Sequence, residues 1–184
     1  MTIYTKKGDK GKTSLCKKGS TQKRKILKSD SVIHALGAID ELNSYLGVIT
    51  SHSQDQKLNK TITDLQKDMF TIGSIIGGSN LRFSKSKTTK LEKIIDKLEK
   101  KLPTLKNFIL PGGCKTAAHL QYARSLARKA ERRAVALSES KSSPGGKPQV
   151  LTYLNRLSDL LFILAREANF KMGIKEEVWA GKRK

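Results

Sequence analysis

Apolar residues recur at helical spacing in five stretches of the chain, with polar residues on the opposite face. In the first stretch Val32, Ala35, Ile39, Leu42 and Leu46 follow one another at steps of three and four residues. Spacing of this kind predicts an amphipathic α-helix whose apolar face packs against other helices. The five predicted helices cover about residues 31–51, 56–76, 89–102, 115–138 and 149–172.

The remaining segments lack this periodicity. Thr89 and Glu92 have the spacing of a capping box, so we expect the third helix to begin at Thr89 after a loop over 79–87. Residues 138–148 are rich in Ser, Gly and Lys and predict a flexible connector, and we expect 173–184 to be a mobile tail. No strand-like alternation of useful length appears. The pattern therefore predicts an all-α helical bundle.

Length and cysteine content place this bundle in a broad class of protein. A chain of 184 residues fits one domain, 1–184, that can bury a core without covalent staples. Cys16 and Cys114 have neither a disulfide framework nor metal-ligand spacing, so we expect a reducing, cytoplasmic location and no metal-ligating residues. No apolar run approaches the ~18 residues of a membrane span, and we expect no membrane partner.

The formal net charge of +21 makes anionic partners the expectation. The lysines, however, are scattered along the chain, and aromatic residues for base stacking make up only 5% of it. We therefore interpret most of the charge as solvated surface and do not expect a nucleic-acid partner.

The first fifteen residues combine glycines, hydroxyl residues and lysines, which is the chemistry of a polyphosphate cradle. A Walker A motif is excluded, because Lys6 stands where its first glycine is required and too few residues precede the segment to form a strand. We predict a phosphate-binding loop of another kind within residues 1–28. A flexible basic N-terminus is the alternative.

Polar residues interrupt the apolar stripes of three helices. Arg124, Arg128 and Arg132 lie at steps of four on the fourth helix, with Glu131 three residues after Arg128. A solvent-exposed, salt-bridged face would explain them, but guanidinium groups also suit phosphate and carboxylate ligands. Similar clusters stand on the first helix (Asp40, Glu41, Asn43) and the fifth (Asn155, Arg156, Asp159). Since a buried acid needs a partner, an arginine of the fourth helix is the natural partner of Asp40. Together with the loop, these clusters indicate a shared polar site.

Five ordered sequence blocks carry a family resemblance over about residues 3–170. The chain resembles the PduO-type ATP:cob(I)alamin adenosyltransferases, also called corrinoid adenosyltransferases. The blocks are Tyr4-Thr5-Lys6-Lys7-Gly8-Asp9-Lys10-Gly11, Asp40-Glu41-Leu42-Asn43-Ser44, Phe108-Ile109-Leu110-Pro111-Gly112-Gly113, Arg128-Lys129-Ala130-Glu131-Arg132 and Tyr153-Leu154-Asn155-Arg156-Leu157-Ser158-Asp159.

The resemblance implies a five-helix bundle with ferritin-like up-down connections, assembled as a homotrimer with active sites at the subunit interfaces. It implies transfer of the 5′-deoxyadenosyl group of ATP to the cobalt of cob(I)alamin, with release of triphosphate. Mg²⁺ would accompany the ATP, and a cobalamin-dependent enzyme is a candidate acceptor of the product.

The resemblance also implies roles for individual residues. Phe108 would fill the lower face of the corrin, and Asp40 would form a salt bridge with Arg124 across the subunit interface. Lys129 and Gln121 depart from the residues usual in the family, and we expect altered ATP affinity rather than lost activity. The implied ATP ligands are Thr5, Lys6, Lys7, Gly8, Thr13, Ser14, Lys28, Arg128, Glu131, Arg132 and Asn155, of which Arg128 would also act in catalysis.

Two other classes of function remain as alternatives. A basic helical protein that binds nucleic acid would lose affinity steeply with salt. A scaffold that binds polyphosphate or nucleotide without catalysis would bind ATP but leave the cobalamin spectrum unchanged.

Overall fold

A computed structural model describes residues 3–4, 6–16, 23–139 and 147–180 of the chain. The five predicted helices are confirmed, and a short hairpin precedes them. The elements are β1 (Lys12–Cys16), β2 (Lys23–Leu27), α1 (Ser31–His52), α2 (Gln56–Ile76), α3 (Lys85–Glu99), α4 (Lys115–Glu139) and α5 (Pro148–Lys171). None of these helices is long and apolar enough to cross a membrane.

Helix α4 lies at the centre of the bundle, between α1 and α5, while α2 packs on α1 and α3 packs on α5. Its contact face consists largely of alanines, and Ala123, Ala127, Ala130 and Ala134 are fully buried. Small side chains let neighbouring helix backbones approach closely, which is why a helix this rich in charge can occupy the centre. Its arginines project from the remaining faces.

A buried polar contact joins α2 and α5. Tyr153 is fully buried, and its hydroxyl donates a hydrogen bond of 2.7 Å to Asp68 Oδ2. Lys87 at the start of α3 pairs with the other oxygen of the same carboxylate. Burial, followed by the negative charge of Asp68, raises the pKa of Tyr153 above its ordinary value, so its hydroxyl stays protonated and remains a donor.

The start predicted for the third helix is wrong by one turn. Ser84 caps α3 by accepting a hydrogen bond from the amide of Ser86, so the expected capping box at Thr89 and Glu92 does not form. The first turn is polar in sequence, yet Thr88 is buried and Lys87 reaches Asp68 on α2. Tertiary contacts therefore extend the helix beyond its apolar stripe.

The pattern also gave no indication of the short hairpin that precedes the five helices. β1 and β2 pair antiparallel, with Thr13 opposite Ile26 and Ser14 opposite Lys25. The pattern did not reveal them because the side chains of β2 are exposed apart from the half-buried Ile26, while on β1 Leu15 packs against the hydrophobic core. Neither strand shows a regular alternation of apolar and polar residues.

Candidate functional site

The predicted phosphate loop is a turn over residues 6–11 that leads into β1. The amide of Lys28 donates a hydrogen bond of 2.9 Å to the carbonyl of Gly11, which closes the base of the loop against the end of β2. The Lys28 ammonium lies beside the backbone of Gly8, where an added Cβ would stand 3.4 Å from Nζ. The hairpin thus brings Lys28 to the loop although twenty residues separate it from Gly8.

The loop exposes its cationic groups to solvent. Lys6 and Lys7 are exposed, as is Ser14 on β1, whereas Thr13 is partly buried. Lys6 has a φ of 56°, a left-handed conformation that a non-glycine residue adopts at a cost of about 1 kcal/mol. Such strain is most frequent at ligand-binding segments. Thr5 lies outside the described residues.

Three arginines of α4, at positions 124, 128 and 132, carry positive charge that the described part of the chain does not neutralise. Arg124 is partly buried and donates a hydrogen bond of 2.9 Å to Gln121 Oε1, while Arg128 and Arg132 are exposed. Burial, and then the charge of Arg128, lower the pKa of Arg124. Among the described residues none of the three forms a salt bridge with an acidic side chain. The row is therefore electrostatically suited to an external anion.

A groove of about 1060 Å³ joins two of these arginines to Phe108. Phe108 lies on the segment between α3 and α4 and leaves 79% of its surface exposed, while Arg124 and Arg128 line the groove from α4. Arg156, which also lines the groove, forms salt bridges with Glu92 at 3.2 Å and with Asp159 at 2.6 Å. One surface thus offers an apolar ring, two guanidinium groups that pair with no described acidic side chain, and the paired charges around Arg156.

The groove also includes residues that the sequence reasoning missed. Phe162 and Arg166 of α5 lie on its wall, and Glu92, interpreted from sequence as a capping residue, lies there as well. The available signal was Arg166, a charged residue within the strongly apolar end of α5. Its side chain is only 7% exposed.

Two of the predicted nucleotide ligands meet within the chain. Asn155 Nδ2 donates a hydrogen bond of 2.9 Å to Glu131 Oε1, joining α5 to α4. Lys129, one of the departures from the family pattern, pairs with Glu41 Oε2 of α1 at 2.6 Å. The polar clusters of these three helices are therefore in contact through Asn155–Glu131 and Lys129–Glu41.

Other predicted site residues stay apart. No hydrogen bond or salt bridge between described residues joins the N-terminal loop to Arg128, Arg132 or Asn155. Asp40 is exposed on α1 and lines a different groove, of about 520 Å³ between α1 and α2. Asn43 lines the same groove, and its buried Oδ1 has no hydrogen-bond partner among the described residues.

The end of the segment that carries Phe108 is held by Asn169 of α5. Asn169 donates a hydrogen bond of 3.1 Å to the carbonyl of Gly112 and accepts one of 2.9 Å from the amide of Cys114. Gly113 lies between them with a φ of +106°, and a Cβ there would overlap the carboxamide of Asn169. Only glycine fits this turn without displacing the asparagine.

The sequence model of the family described as cobalamin adenosyltransferase matches residues 3–168. The chain belongs to the cobalamin adenosyltransferase family. The family resemblance inferred from the five ordered blocks is thereby confirmed. The match extends from the N-terminal loop almost to the end of α5.

Relatives of this family member agree with the assignment. A corrinoid adenosyltransferase of Bacillus subtilis (strain 168) is 37% identical over 182 residues, which cover 95% of this chain and 90% of the relative. The corrinoid adenosyltransferase MMAB of Homo sapiens is 36% identical over 189 residues, covering 96% of this chain and 72% of the relative.

A solved structure extends the agreement to three dimensions. A variant PduO-type ATP:corrinoid adenosyltransferase from Lactobacillus reuteri, complexed with cobalamin and ATP, superposes with a TM-score of 0.89 at 32% identity. The superposition covers 98% of this chain and 100% of that one. The helical architecture predicted for the family is therefore the architecture of this chain.

Proposed function

We propose that this cobalamin adenosyltransferase transfers the 5′-deoxyadenosyl group of ATP to the cobalt of cob(I)alamin and releases triphosphate. The observation that carries the proposal is the groove that the exposed ring of Phe108 lines together with Arg124 and Arg128. An apolar ring beside unneutralised guanidinium groups suits a reaction between a broad, flat cofactor and a polyanionic nucleotide. The complex of the Lactobacillus reuteri relative with cobalamin and ATP supports the same pair of substrates.

The chemistry demands little acid–base assistance from the protein. Cob(I)alamin is already a strong nucleophile: a cobalt–carbon bond forms at C5′ as the bond from C5′ to its oxygen breaks, and triphosphate leaves with the electron pair. The protein must align C5′ with the cobalt and stabilise negative charge on the leaving group. A site built from arginines, lysines and backbone amides fits this task.

We assign the triphosphate to both parts of the site. The loop residues Lys6, Lys7 and Gly8, with Lys28 beside them, would hold it from one side, together with Thr5, Thr13 and Ser14. Arg128 and Arg132 of α4 would hold it from the other side, next to the hydrogen-bonded Glu131 and Asn155. Phe108 would contact the lower face of the corrin and exclude an axial ligand there.

We further propose a homotrimer in which Asp40 of one subunit pairs with Arg124 of the next. Three features support an interface: Asp40 and Arg124 each lack an oppositely charged partner among the described residues, and the buried Oδ1 of Asn43 lacks a hydrogen bond. Buried polar atoms in native proteins are nearly always satisfied. A neighbouring subunit would also bring a loop of one chain to the arginines of another.

Magnesium enters the proposal as part of the substrate. In the described part of the chain no three His, Cys, Asp or Glu side chains converge on a position for a metal ion. Mg²⁺ commonly keeps several waters and binds through substrate phosphates, so a Mg–ATP complex needs no protein cage. An acceptor enzyme for the product and a cytoplasmic location stay predictions.

The proposal is tested by anaerobic incubation of the protein with ATP, Mg²⁺ and chemically reduced cobalamin. We expect the spectrum of adenosylcobalamin to appear with one triphosphate per turnover. Arg128→Met should lower the rate by at least about 10²-fold, in the range found when one transition-state donor is removed. Arg133→Met is the matched control, because Arg133 is exposed on the same helix but does not line the groove.

A folded protein that gives neither product would refute the proposal. Binding of ATP without any spectral change would favour the polyphosphate scaffold. Affinity for nucleic acid that falls steeply with salt, in the absence of turnover, would favour the nucleic-acid alternative.

A further inference from the structure

The C-terminal segment 176–179, here called the strap, pairs with the backbone that carries Phe108. The amide of Trp179 donates a hydrogen bond of 2.8 Å to the carbonyl of Phe108, and the amide of Leu110 donates one of 2.8 Å to the carbonyl of Glu177. Ile109 and Val178 form an antiparallel bridge between these two bonds. The strap therefore fixes the backbone on which the exposed ring of Phe108 is mounted.

One ion pair anchors the strap to the bundle. Arg166 Nε lies 3.1 Å and 3.0 Å from the two carboxylate oxygens of Glu176, and its Nη2 donates a hydrogen bond of 2.8 Å to the carbonyl of Pro103. The side chains of Arg166 and Glu176 are 7% and 20% exposed. A single buried guanidinium thus holds both the strap and the beginning of the Phe108 segment.

The rest of the strap is weakly anchored by comparison. Glu177 is exposed, and Val178 and Trp179 are 50% and 57% exposed. Among the described residues, Glu176 is the member of the strap whose side chain forms a salt bridge. Loss of its carboxylate would leave Arg166 charged and buried without its partner, which is costly, and would release the strap from α5.

We propose that Glu176 is a positioning residue for Phe108, acting through Arg166 and the strap. The inference rests on the proposed function, since it concerns the aromatic residue that would meet the corrin. Glu176 contacts neither reacting group. It sets the position of the Phe108 ring, whereas the N-terminal loop and Arg132 would hold ATP independently of it.

The experiment compares Glu176→Ala with Glu177→Ala, a matched control that removes the same charge from the adjacent, exposed position. Trp179 is the only tryptophan of the chain, so its fluorescence reports on the strap alone. In Glu176→Ala we expect a red-shifted emission and stronger quenching by iodide, with unchanged far-ultraviolet circular dichroism. Turnover of reduced cobalamin should fall on the order of 10-fold, because displacement of a positioning group by about 1 Å costs up to 10²-fold. The KM for ATP should change by less than about 2-fold, a split that isolates an effect on the corrin.

Glu176→Gln, which keeps a hydrogen-bond acceptor for Arg166, should fall between Glu176→Ala and wild type, and Glu177→Ala should match wild type. Equal losses for ATP and corrin, unchanged corrin kinetics, or unchanged Trp179 fluorescence in Glu176→Ala would each overturn the positioning role. A wild-type protein that fails to adenosylate cobalamin would refute the proposed function and the positioning role together. An active wild type with unaltered Glu176→Ala kinetics would refute the positioning role alone.

Discussion

Phe108 is unusual at the scale of a single residue, because a large aromatic ring normally buries most of its surface. Here 79% of it is exposed, on a segment whose backbone is fixed on one side by the strap and on the other by Asn169. The protein thus holds an exposed apolar ring at the edge of a cationic groove, on a segment whose backbone is fixed by hydrogen bonds. Such an arrangement is typical of a surface that a ligand covers.

Phe108→Ala should reduce turnover of reduced cobalamin on the order of 10- to 100-fold while changing the KM for ATP by less than about 2-fold. The ring would act sterically on the corrin, whereas the proposed triphosphate ligands, including Arg128 in the same groove, are separate side chains that the substitution leaves in place. Steady-state kinetics with each substrate varied in turn measure this split. Leu81→Ala is the control, because Leu81 is also exposed but does not line the groove. Equal losses for both substrates would contradict the steric role.

At the scale of elements, the sequence predicted the helices, which bury an apolar stripe, and missed the segments that have no such stripe. All five helices were predictable because each buries an apolar stripe. The hairpin could not be recognised, because β2 carries mostly exposed, basic residues and β1 shows no alternation of apolar and polar residues. The first turn of α3 was missed for a related reason: Lys87 forms a salt bridge with Asp68 and Thr88 is buried, but the turn has no apolar stripe.

The turn before α4 offers a paired test with adjacent glycines. Gly113→Ala forces a φ of +106° on alanine and drives its Cβ into Asn169, so we expect a loss of roughly 1–3 kcal/mol in the free energy of unfolding. For a chain of this size that corresponds to about 2–4 °C in Tm for each kcal/mol. Gly112→Ala meets no atom within 4 Å and should be nearly neutral. Thermal unfolding of both variants can be followed by circular dichroism. Equal Tm values would contradict the role of Asn169 in fixing the turn at Gly113.

The contact between the α2 cap and the end of α5 predicts an acid dependence of stability. Asp55 accepts hydrogen bonds from the amides of Lys57 and Leu58 at the start of α2, and Lys171 Nζ lies 2.8 Å from its Oδ2. The hydrogen bond from Lys171, with those from the backbone, lowers the pKa of Asp55. A depressed folded pKa contributes stability above the unfolded value of about 3.9, and that contribution disappears as the pH falls through the folded value.

Asp55→Asn keeps an acceptor for the cap but loses the charge. We expect its free energy of unfolding at pH 7 to be lower than that of wild type by about 0.2–1 kcal/mol, since the pair is partly exposed. The difference should shrink towards pH 3 and vanish below the folded pKa. Urea unfolding at pH 7 and at several values below pH 4 measures it. If the difference in free energy of unfolding between wild type and Asp55→Asn stays constant across this pH range, the charge of Asp55 does not contribute to stability.

At the scale of the whole molecule, one chain carries the residues proposed for the site without bringing all of them into contact in its described part. The loop with Lys6 and Lys28 has no described contact with Arg128 or Arg132, and Asp40 faces a separate groove. Sequence reasoning could identify the loop from its glycines, hydroxyl residues and lysines, and it could identify Asp40, Arg128 and Arg132 because they interrupt the apolar stripes of helices. It could not derive their meeting from periodicity, which concerns the packing of one chain on itself. Only the family resemblance implied a contact between subunits.

Adjacent acids on α1 allow the proposed assembly to be tested with a matched pair. Asp40→Asn removes the charge that would pair with Arg124 of a neighbouring subunit, and we expect the dissociation constant of the trimer to rise about 10-fold or more, equivalent to at least about 1.4 kcal/mol. Glu41→Gln removes the same charge one residue later but breaks a contact within the chain, to Lys129, so the trimer should persist. Sedimentation equilibrium over a range of concentrations measures both constants. Loss of turnover in Asp40→Asn that is restored at high protein concentration would link assembly to activity, because Arg124 and Arg128 line the groove that a partner subunit would complete in the proposed trimer. Identical dissociation constants for wild type and Asp40→Asn would instead contradict the pairing of Asp40 with Arg124. The bound triphosphate would then be the expected anionic partner of Arg124.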